Sequence, residues 1–309
     1  MDISIVIINW NTREYLLKCL ASVFRTTGGL TLEVWVVDNG SRDGSVEAVK
    51  KEFPQVHVIE NQRNLGFAAA NNKAFRKMTG RYALLLNSDA ELTDGAARRL
   101  IDFMDTAPEA AMACGQLMNP DGTRQNSIAN FPTLPALMTN ETVLRILFPR
   151  RYPSKRNAYA SPIEVESGIG ACLIVRKQAM DAVGLLDEDY FFFFEETDWA
   201  YRMKQAGWKN YFVPDARIIH AQGKSVGHNA TSRMLFYHSR YIYFSKWHRS
   251  RFRWICMVVF SRLLVNTLLT LAGVSVCVGL NRGLNRKLSV YGQLIRWHLN
   301  GCPRPCPPE

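Results

Sequence analysis

Three clusters of acids, each at the end of an apolar run, are the residues best suited to chemistry in this chain. In Leu84-Leu85-Leu86-Asn87-Ser88-Asp89-Ala90-Glu91 a strand-like run stops abruptly in carboxylates. Hard cations such as Mg2+ or Mn2+ prefer oxygen ligands of this kind and are completed by substrate phosphates. Val36-Val37-Asp38-Asn39-Gly40-Ser41 sets one carboxylate ahead of an Asn-Gly turn, where it can hold a ribose or a base edge. Tyr190 and Phe191 to Phe194 precede Glu195, Glu196, Thr197, Asp198 and Trp199. Like charges that close, on an apolar platform, raise at least one pKa, which suits a general base. Between these clusters, Asn61 to Asn72 offers Asn64 and Gly66 for a turn onto a helix, and small residues Ala68 to Ala70 for close approach. Ile218-Ile219-His220 closes a strand with a possible metal ligand, and Gly223-Lys224-Ser225 follows.

Taken singly, each motif also has a plainer explanation. Residues 38–41 can be a turn that caps the next helix, 64–72 a helix packed tightly on a sheet, and 87–91 a helix cap. A lone His at 220 is usually structural. Acids at 195–198 suit the first turn of a helix, although that does not account for the aromatics before them.

The elements that must position these residues alternate in period. Strands are expected at Ile3–Ile8, Leu32–Val37, Val56–Ile59, Tyr82–Leu86 and Ala110–Cys114, with helices at Arg13–Arg25, Ser45–Phe53, Phe67–Lys77 and Asp94–Asp105, the last capped by Thr93. Such alternation implies parallel βαβ units in a doubly wound, mostly parallel sheet flanked by helices, whose ligands bind at the carboxyl ends of the strands. Residues 118–162 hold six prolines and read as a long, partly helical excursion over a substrate site. Strands return at Ile163–Ser167 and Ala171–Val175, followed by a helix at Glu195–Ala206 and strands at Lys209–Val213 and Ala216–His220.

The last 70 residues change character. Arg240 to Arg253 mixes bases with aromatics, and Leu263 to Leu280 carries no charge, a run just long enough to span a bilayer. Arg282, Arg286, Lys287 and Arg296 follow. This pattern suits helices lying in a membrane interface, against anionic headgroups; a spanning helix and a packed helical subdomain are the alternatives. Net charge is +11, which implies an anionic partner. Seven cysteines in no framework spacing point to a reducing compartment. The opening Met1-Asp2-Ile3-Ser4 does not resemble a signal peptide, so Asn140 and Asn229, formal glycosylation acceptors, are expected to stay unmodified.

Taken together, the motifs resemble family 2 glycosyltransferases of the GT-A fold. They are Asp-Asn-Gly-Ser-x-Asp-Gly-Ser at 38–45, Asn-Leu-Gly-Phe-Ala-x-x-Asn at 64–71, Asn-Ser-Asp at 87–89, and Phe-x-x-Glu-Glu-x-Asp-x-x-x-Arg-x-x-x-x-Gly-Trp at 192–208. The rhamnosyltransferase-like branch is the nearest in pattern. The resemblance covers residues 1–225 and implies a catalytic domain with a donor half to about residue 115 and an acceptor half beyond it. A basic, apolar membrane-associated region would occupy 226–300 and a flexible tail 301–309. It implies donor contacts from Asn9, Asp38, Asn39, Ser41, Arg63, Asn64, Gly66, Asn71, Asn87 and Ser88. Asp89 and His220 would hold Mg2+ or Mn2+, with Asn87 in place of the first acid of an Asp-x-Asp-type motif. Glu196 would be the general base, with Asp198 as the second candidate and Glu195 positioning the acceptor. Gly168, Gly170, Ala171 and Trp199 would lie along the acceptor. The implied reaction is inverting transfer from a nucleoside diphosphate sugar, dTDP-rhamnose or a UDP-hexose, to a saccharide acceptor carried by a polyprenyl diphosphate. It would take place at the cytoplasmic face of a bacterial inner membrane.

Other classes fit less well. Gly168-Ile169-Gly170 lacks a third glycine in register and does not open the first βα turn, which argues against a dinucleotide-dependent oxidoreductase. The basic aromatic stretch adjoins an apolar segment, which favours a membrane over nucleic acid. A scaffold without activity would have no need of the acids.

Overall fold

The computed structural model describes residues 1–139, 141–148, 158–222, 229–278 and 280–305. Gly223-Lys224-Ser225, Asn140 and Cys306 lie outside the described residues.

The elements run β1 (Ile3–Asn9), α1 (Arg13–Thr26), β2 (Leu32–Asp38), α2 (Ser45–Glu52), β3 (His57–Glu60), α3 (Phe67–Phe75), β4 (Tyr82–Asn87), β5 (Ala90–Leu92), α4 (Ala96–Thr106) and β6 (Ala110–Met118). The excursion contributes β7 (Ile128–Ala129), α5 (Leu134–Met138) and α6 (Glu141–Leu147). Then come β8 (Ile163–Val165), β9 (Ser167–Gly168), β10 (Cys172–Arg176), α7 (Lys177–Val183), α8 (Glu195–Gln205) and β11 (Lys209–His220). Three helices end the chain: α9 (Ala230–Trp247), α10 (Phe252–Val276) and α11 (Arg282–Leu299).

The sheet order is β3-β2-β1-β4-β10-β6-β11-β5, with β8 on β11. Alternating side chains feed two cores. Ile3, Ile5 and Ile7 meet Leu16, Leu20 and Val23 of α1 and Leu100 of α4 on one face. Val6, Ala83 and Leu85 meet Ala70 and Ala74 of α3, Met180 of α7 and Trp199 of α8 on the other. Both faces are therefore covered, as an α/β layer architecture requires.

The sheet departs from the expected pattern in three places. First, it is mixed: β10 enters antiparallel between β4 and β6. A βαβ crossover forces parallel pairing, but β10 follows the short β9 rather than a crossover helix, so its direction is free. Second, the strands expected at 209–213 and 216–220 are one, β11, whose register against β6 jumps between Val213 and Arg217. Gly115 permits this bulge, because a Cβ there would meet the Ala216 carbonyl and Ile218. Third, Thr93 does not cap α4. That helix starts after Gly95 in a left-handed conformation, and the Thr93 hydroxyl instead donates to the Arg217 carbonyl, 2.7 Å. It ties the short β5 to β11, whose register pairs His220 with Ala90.

The chain forms two compact units. One comprises Met1–Phe131, Pro153–Phe191 and Glu195–Ser225; the other comprises Pro132–Tyr152, Phe192–Phe194 and Val226–Glu309. Two stretches from the first 225 residues thus cluster with the C-terminal helices. In that second unit, Asn229 caps α9 in a capping box with Ser232, accepting from its N–H at 2.9 Å. The α11 helix returns antiparallel along α10: a Cβ on Gly273 would touch Leu284, and the Phe260 and His298 rings lie 5.4 Å apart.

Candidate active site

The carboxyl ends of β1, β2 and β4 are tied together by a buried polar network. Asp38 is buried. Its Oδ1 accepts from the N–H groups of Gly40 (3.0 Å) and Ser41 (2.8 Å), and its Oδ2 accepts from Asn9 Nδ2 (2.8 Å). Asn9 also donates to Ser41 Oγ, 3.0 Å. The Thr12 hydroxyl donates to Asn9 Oδ1 (2.7 Å) and contacts Ser88 Oγ (2.8 Å). Asp38 therefore does shape a turn, and the turn it shapes is the floor of the site. Gly40, at φ +78°, lies against the backbone of Arg63 and Asn61. Asn39 donates to Asn64 Oδ1 and the Gly66 carbonyl, both 3.2 Å, and accepts from Asn61 Nδ2, 2.8 Å. Gly66, at φ +86°, has no room for a Cβ, which would meet the backbone of Phe191. The Phe67 N–H reaches that same Phe191 carbonyl at 2.8 Å, so the start of α3 is bound to the chain ahead of α8. The Asn87 N–H donates to the Ala171 carbonyl, 2.9 Å.

Asp89 and His220, each 6% exposed, come together across the β5–β11 pairing, with Asp89 Oδ1 3.3 Å from His220 Nε2. Hydrogen bonds determine the tautomer. Gln125 Nε2 donates to the His220 carbonyl (2.6 Å) and to Asn119 Oδ1 (2.7 Å), which leaves Gln125 Oε1 to accept from His220 Nδ1 (2.9 Å). In the neutral ring, Nε2 then turns a lone pair toward a carboxylate oxygen. Two lone pairs so close repel unless a proton or a metal cation lies between them. One carboxylate and one imidazole nitrogen, the latter oriented by a second partner, form a donor set that fits a divalent ion. Among the described residues no cluster of three or more His, Cys, Asp and Glu forms, and substrate phosphates are suited to complete the coordination of such an ion.

At the start of α8, Glu195 is buried and its Oε2 has no hydrogen-bond partner among the described residues. Burial, and then the Glu196 charge, push its pKa well above the usual carboxylate range. Burial raises Glu196 as well, and two carboxyls so close do not ionise together; Glu196, the more exposed, is the better placed to carry the charge. Glu196 is partly exposed and lies beside Gly170, where an added Cβ would come 3.8 Å from its Cγ.

Among the expected site residues, the structure buries Asp198, Trp199, Gly168 and Asn71. Asp198 is fully buried and ion-paired with Arg202 at 2.9 Å, with the Tyr190 hydroxyl on its other oxygen at 3.3 Å. It anchors α8, and with both oxygens engaged away from solvent it is unsuited to take an acceptor's proton. Trp199 is also fully buried, donating to the Gly184 carbonyl (2.8 Å) and stacking on Phe75 at 5.7 Å, so it cannot touch an acceptor. Gly168 is buried against Cys114 and Leu173. Asn71 is fully buried, with its amide on the Phe67 carbonyl at 2.9 Å. Arg63 is exposed, and Ala171 is buried beside Asn87. The sequence reading missed Thr12 and Gln125. Neither belongs to an acid cluster, and only the turn at Asn119–Gly122, which brings Gln125 back beside β6, hinted at the second.

The chain is similar to several known proteins. Residues 4–184 match the family model described as Glycosyl transferase family 2. An N-acetylglucosaminyl-diphospho-decaprenol L-rhamnosyltransferase of Mycobacterium tuberculosis is 28% identical over 270 residues, 81% of this chain and 87% of that protein. A dTDP-rhamnosyl transferase of Shigella flexneri is 24% identical over 229 residues, 73% of this chain and 71% of the relative. A mannosyltransferase from Pyrobaculum calidifontis, solved with GDP-Man and Mn2+, superposes with a TM-score of 0.58 at 15% identity, covering 96% of this chain and 86% of that one. This last likeness shows the GT-A fold.

Proposed function

The chain belongs to glycosyl transferase family 2, and we propose that it moves L-rhamnose from dTDP-rhamnose onto a saccharide carried by a polyprenyl diphosphate, inverting the anomeric carbon. The sugar and the acceptor class are drawn from the two rhamnosyltransferase relatives. The chemistry rests on one observation: two adjacent carboxylates with raised pKa, one of them partly open beside Gly170, at the start of α8.

Glu196 takes the proton of the acceptor hydroxyl as that oxygen bonds to the anomeric carbon. The bond from sugar to donor diphosphate breaks, and its electron pair leaves on the diphosphate. Glu195 keeps its proton while Glu196 is charged, so the pair never carries two buried charges. Asp38, Asn9 and Ser41 hold the turn that receives the nucleoside, with Asn39, Asn64 and Gly66 packed behind it. A divalent cation held by Asp89 and His220 would offset the charge on the departing diphosphate. Gln125 keeps His220 in the tautomer that faces it.

The reading places the enzyme on a membrane surface, at the cytoplasmic face. Among the described residues one helix, Arg249–Val276, is long and apolar enough to cross a bilayer. Leu264, Leu268 and Leu269 are exposed on it. The return of α11 along α10 favours a hairpin lying in the interface, since a spanning α10 would carry Arg262, in the middle of that helix, into hydrocarbon.

A donor screen tests the function. Purified protein would meet dTDP-rhamnose, UDP-glucose, UDP-galactose, UDP-GlcNAc and GDP-mannose, with Mg2+ or Mn2+ and then with chelator. Metal-dependent binding or slow hydrolysis of dTDP-rhamnose alone supports the reading. Preference for a UDP-hexose replaces the sugar, and binding of none removes the enzyme assignment of Asp89 and Glu196.

A further inference from the structure

Within the second unit, the stretch after residue 215 is rich in positive charge. No Asp or Glu occurs between 216 and 308, while that stretch holds 14 of the 38 Lys and Arg residues. Most of these bases are exposed, but Arg240 is recessed. Its guanidinium lies over the Phe236 ring at 4.6 Å and the Tyr237 ring at 5.3 Å. Among the described residues its guanidinium makes no hydrogen bond or ion pair beyond these ring contacts. Arg233 shares its face of α9, at helical spacing. Arg262 of α10 is held nearby, its Nη1 donating to the carbonyls of Leu137 (2.7 Å) and Thr139 (3.1 Å) at the end of α5. Burial lowers the Arg240 pKa, and the Arg262 and Arg233 charges lower it further. Three guanidiniums that repel one another, one of them partly desolvated, form a setting that an anion would stabilise.

We propose that Arg233, Arg240 and Arg262 form the site for the diphosphate of a lipid-linked acceptor, with the lipid chain running along the exposed apolar face of α10. The inference rests on the acceptor class proposed above. The chemistry favours a diphosphate over an ordinary phospholipid headgroup. Arginine forks pair bidentately with phosphate oxygens. Three of them match the multiple charge of a diphosphate, where a phosphodiester headgroup carries one. Loose headgroup attraction needs only mobile exposed bases, such as Arg282, Arg286 and Lys287, whereas Arg240 is already oriented by two rings. The same Phe236 ring packs on Phe193 (5.5 Å) and Phe194 (5.3 Å), the two residues directly before Glu195 in the chain.

Vesicle flotation of the full chain tests this. Phosphatidylcholine vesicles would carry either polyprenyl diphosphate or phosphatidylglycerol at equal surface charge, with inorganic pyrophosphate as soluble competitor. Wild type is expected to prefer the diphosphate vesicles by roughly tenfold or more, the worth of a charge-assisted bidentate contact. Pyrophosphate should erase that preference. R240Q should lose it while still binding phosphatidylglycerol vesicles, R240K should keep part of it, and the exposed R233Q, which has little reason to misfold, should weaken it. Equal binding of wild type to both vesicles, or an undiminished preference in R233Q and R240K, overturns the site. The two proposals fail separately: sugar transfer without diphosphate preference removes this site alone, and diphosphate preference without any transfer removes the rhamnosyl reading alone.

Discussion

The two units of this chain handle charge in opposite ways. In the first, buried acids are answered by donors: Asp38 by three of them and Asp198 by Arg202 and Tyr190. The exceptions, Glu195 with a bare oxygen and Asp89 facing a histidine lone pair, mark where the chemistry lies. In the second unit the bases have almost no acids to answer them, and aromatic rings take their place, as with Arg240 over Phe236 and Lys246 over Trp247. Unsatisfied charge thus points to substrate in both units, to a reacting centre in one and to an anionic surface or ligand in the other.

Four changes would break or sharpen that contrast. The largest effect is expected from Glu196→Gln, which should cut sugar transfer by about 10²–10⁴-fold, the usual worth of a general base, with donor binding retained. Near-normal turnover would move the base elsewhere. In the wild type, transfer should fade on acidification at a higher pH than an ordinary carboxylate would give, because burial raises Glu196 and only its ionised form accepts the proton. Next, removing Arg282, Arg286 and Lys287 together as Gln should weaken flotation with anionic vesicles by roughly 10²-fold, at about 1 kcal/mol per charge. An unchanged partition would leave the hairpin without its electrostatic role.

Glu195→Gln probes stability rather than surface. A carboxylate whose folded pKa is raised stabilises the fold below its unfolded pKa and loses that contribution as pH rises through the folded value. The variant should therefore melt above wild type at neutral and alkaline pH, with the gap closing in acid. A gap that widens in acid would mean that Glu195 is held ionised. Smallest of the four, Asn229→Ala should cost about 1 kcal/mol by removing the α9 cap, read as a modest drop in Tm. It should leave donor hydrolysis alone, because the cap lies wholly in the second unit.

Much was legible in the sequence because it is local. Apolar periodicity located β1, β2, β4, α1 and α4, and carboxylates at strand ends located Asp38 and Asp89, since strand and helix periods are written in neighbouring residues. The acid cluster at 195–198 was legible too, but not the division of labour within it. Glu196 opens beside Gly170 while Asp198 turns inward to Arg202, one helical turn away. That difference depends on which face of α8 the sheet covers.

What the sequence determined by itself was the inventory: the acids, the turns that carry them, the charge-free run at 263–280 and the absence of acids between Asp215 and Glu309. Tertiary structure alone decided their use. The direction of β10, the bulge that lets Gly115 approach Ala216, and the pairing of β5 with β11 together bring Asp89, His220 and Gln125, from three distant stretches of chain, within hydrogen-bonding reach. Such contacts depend on strand register and on loops closing over many residues, and neither leaves a signature in local composition.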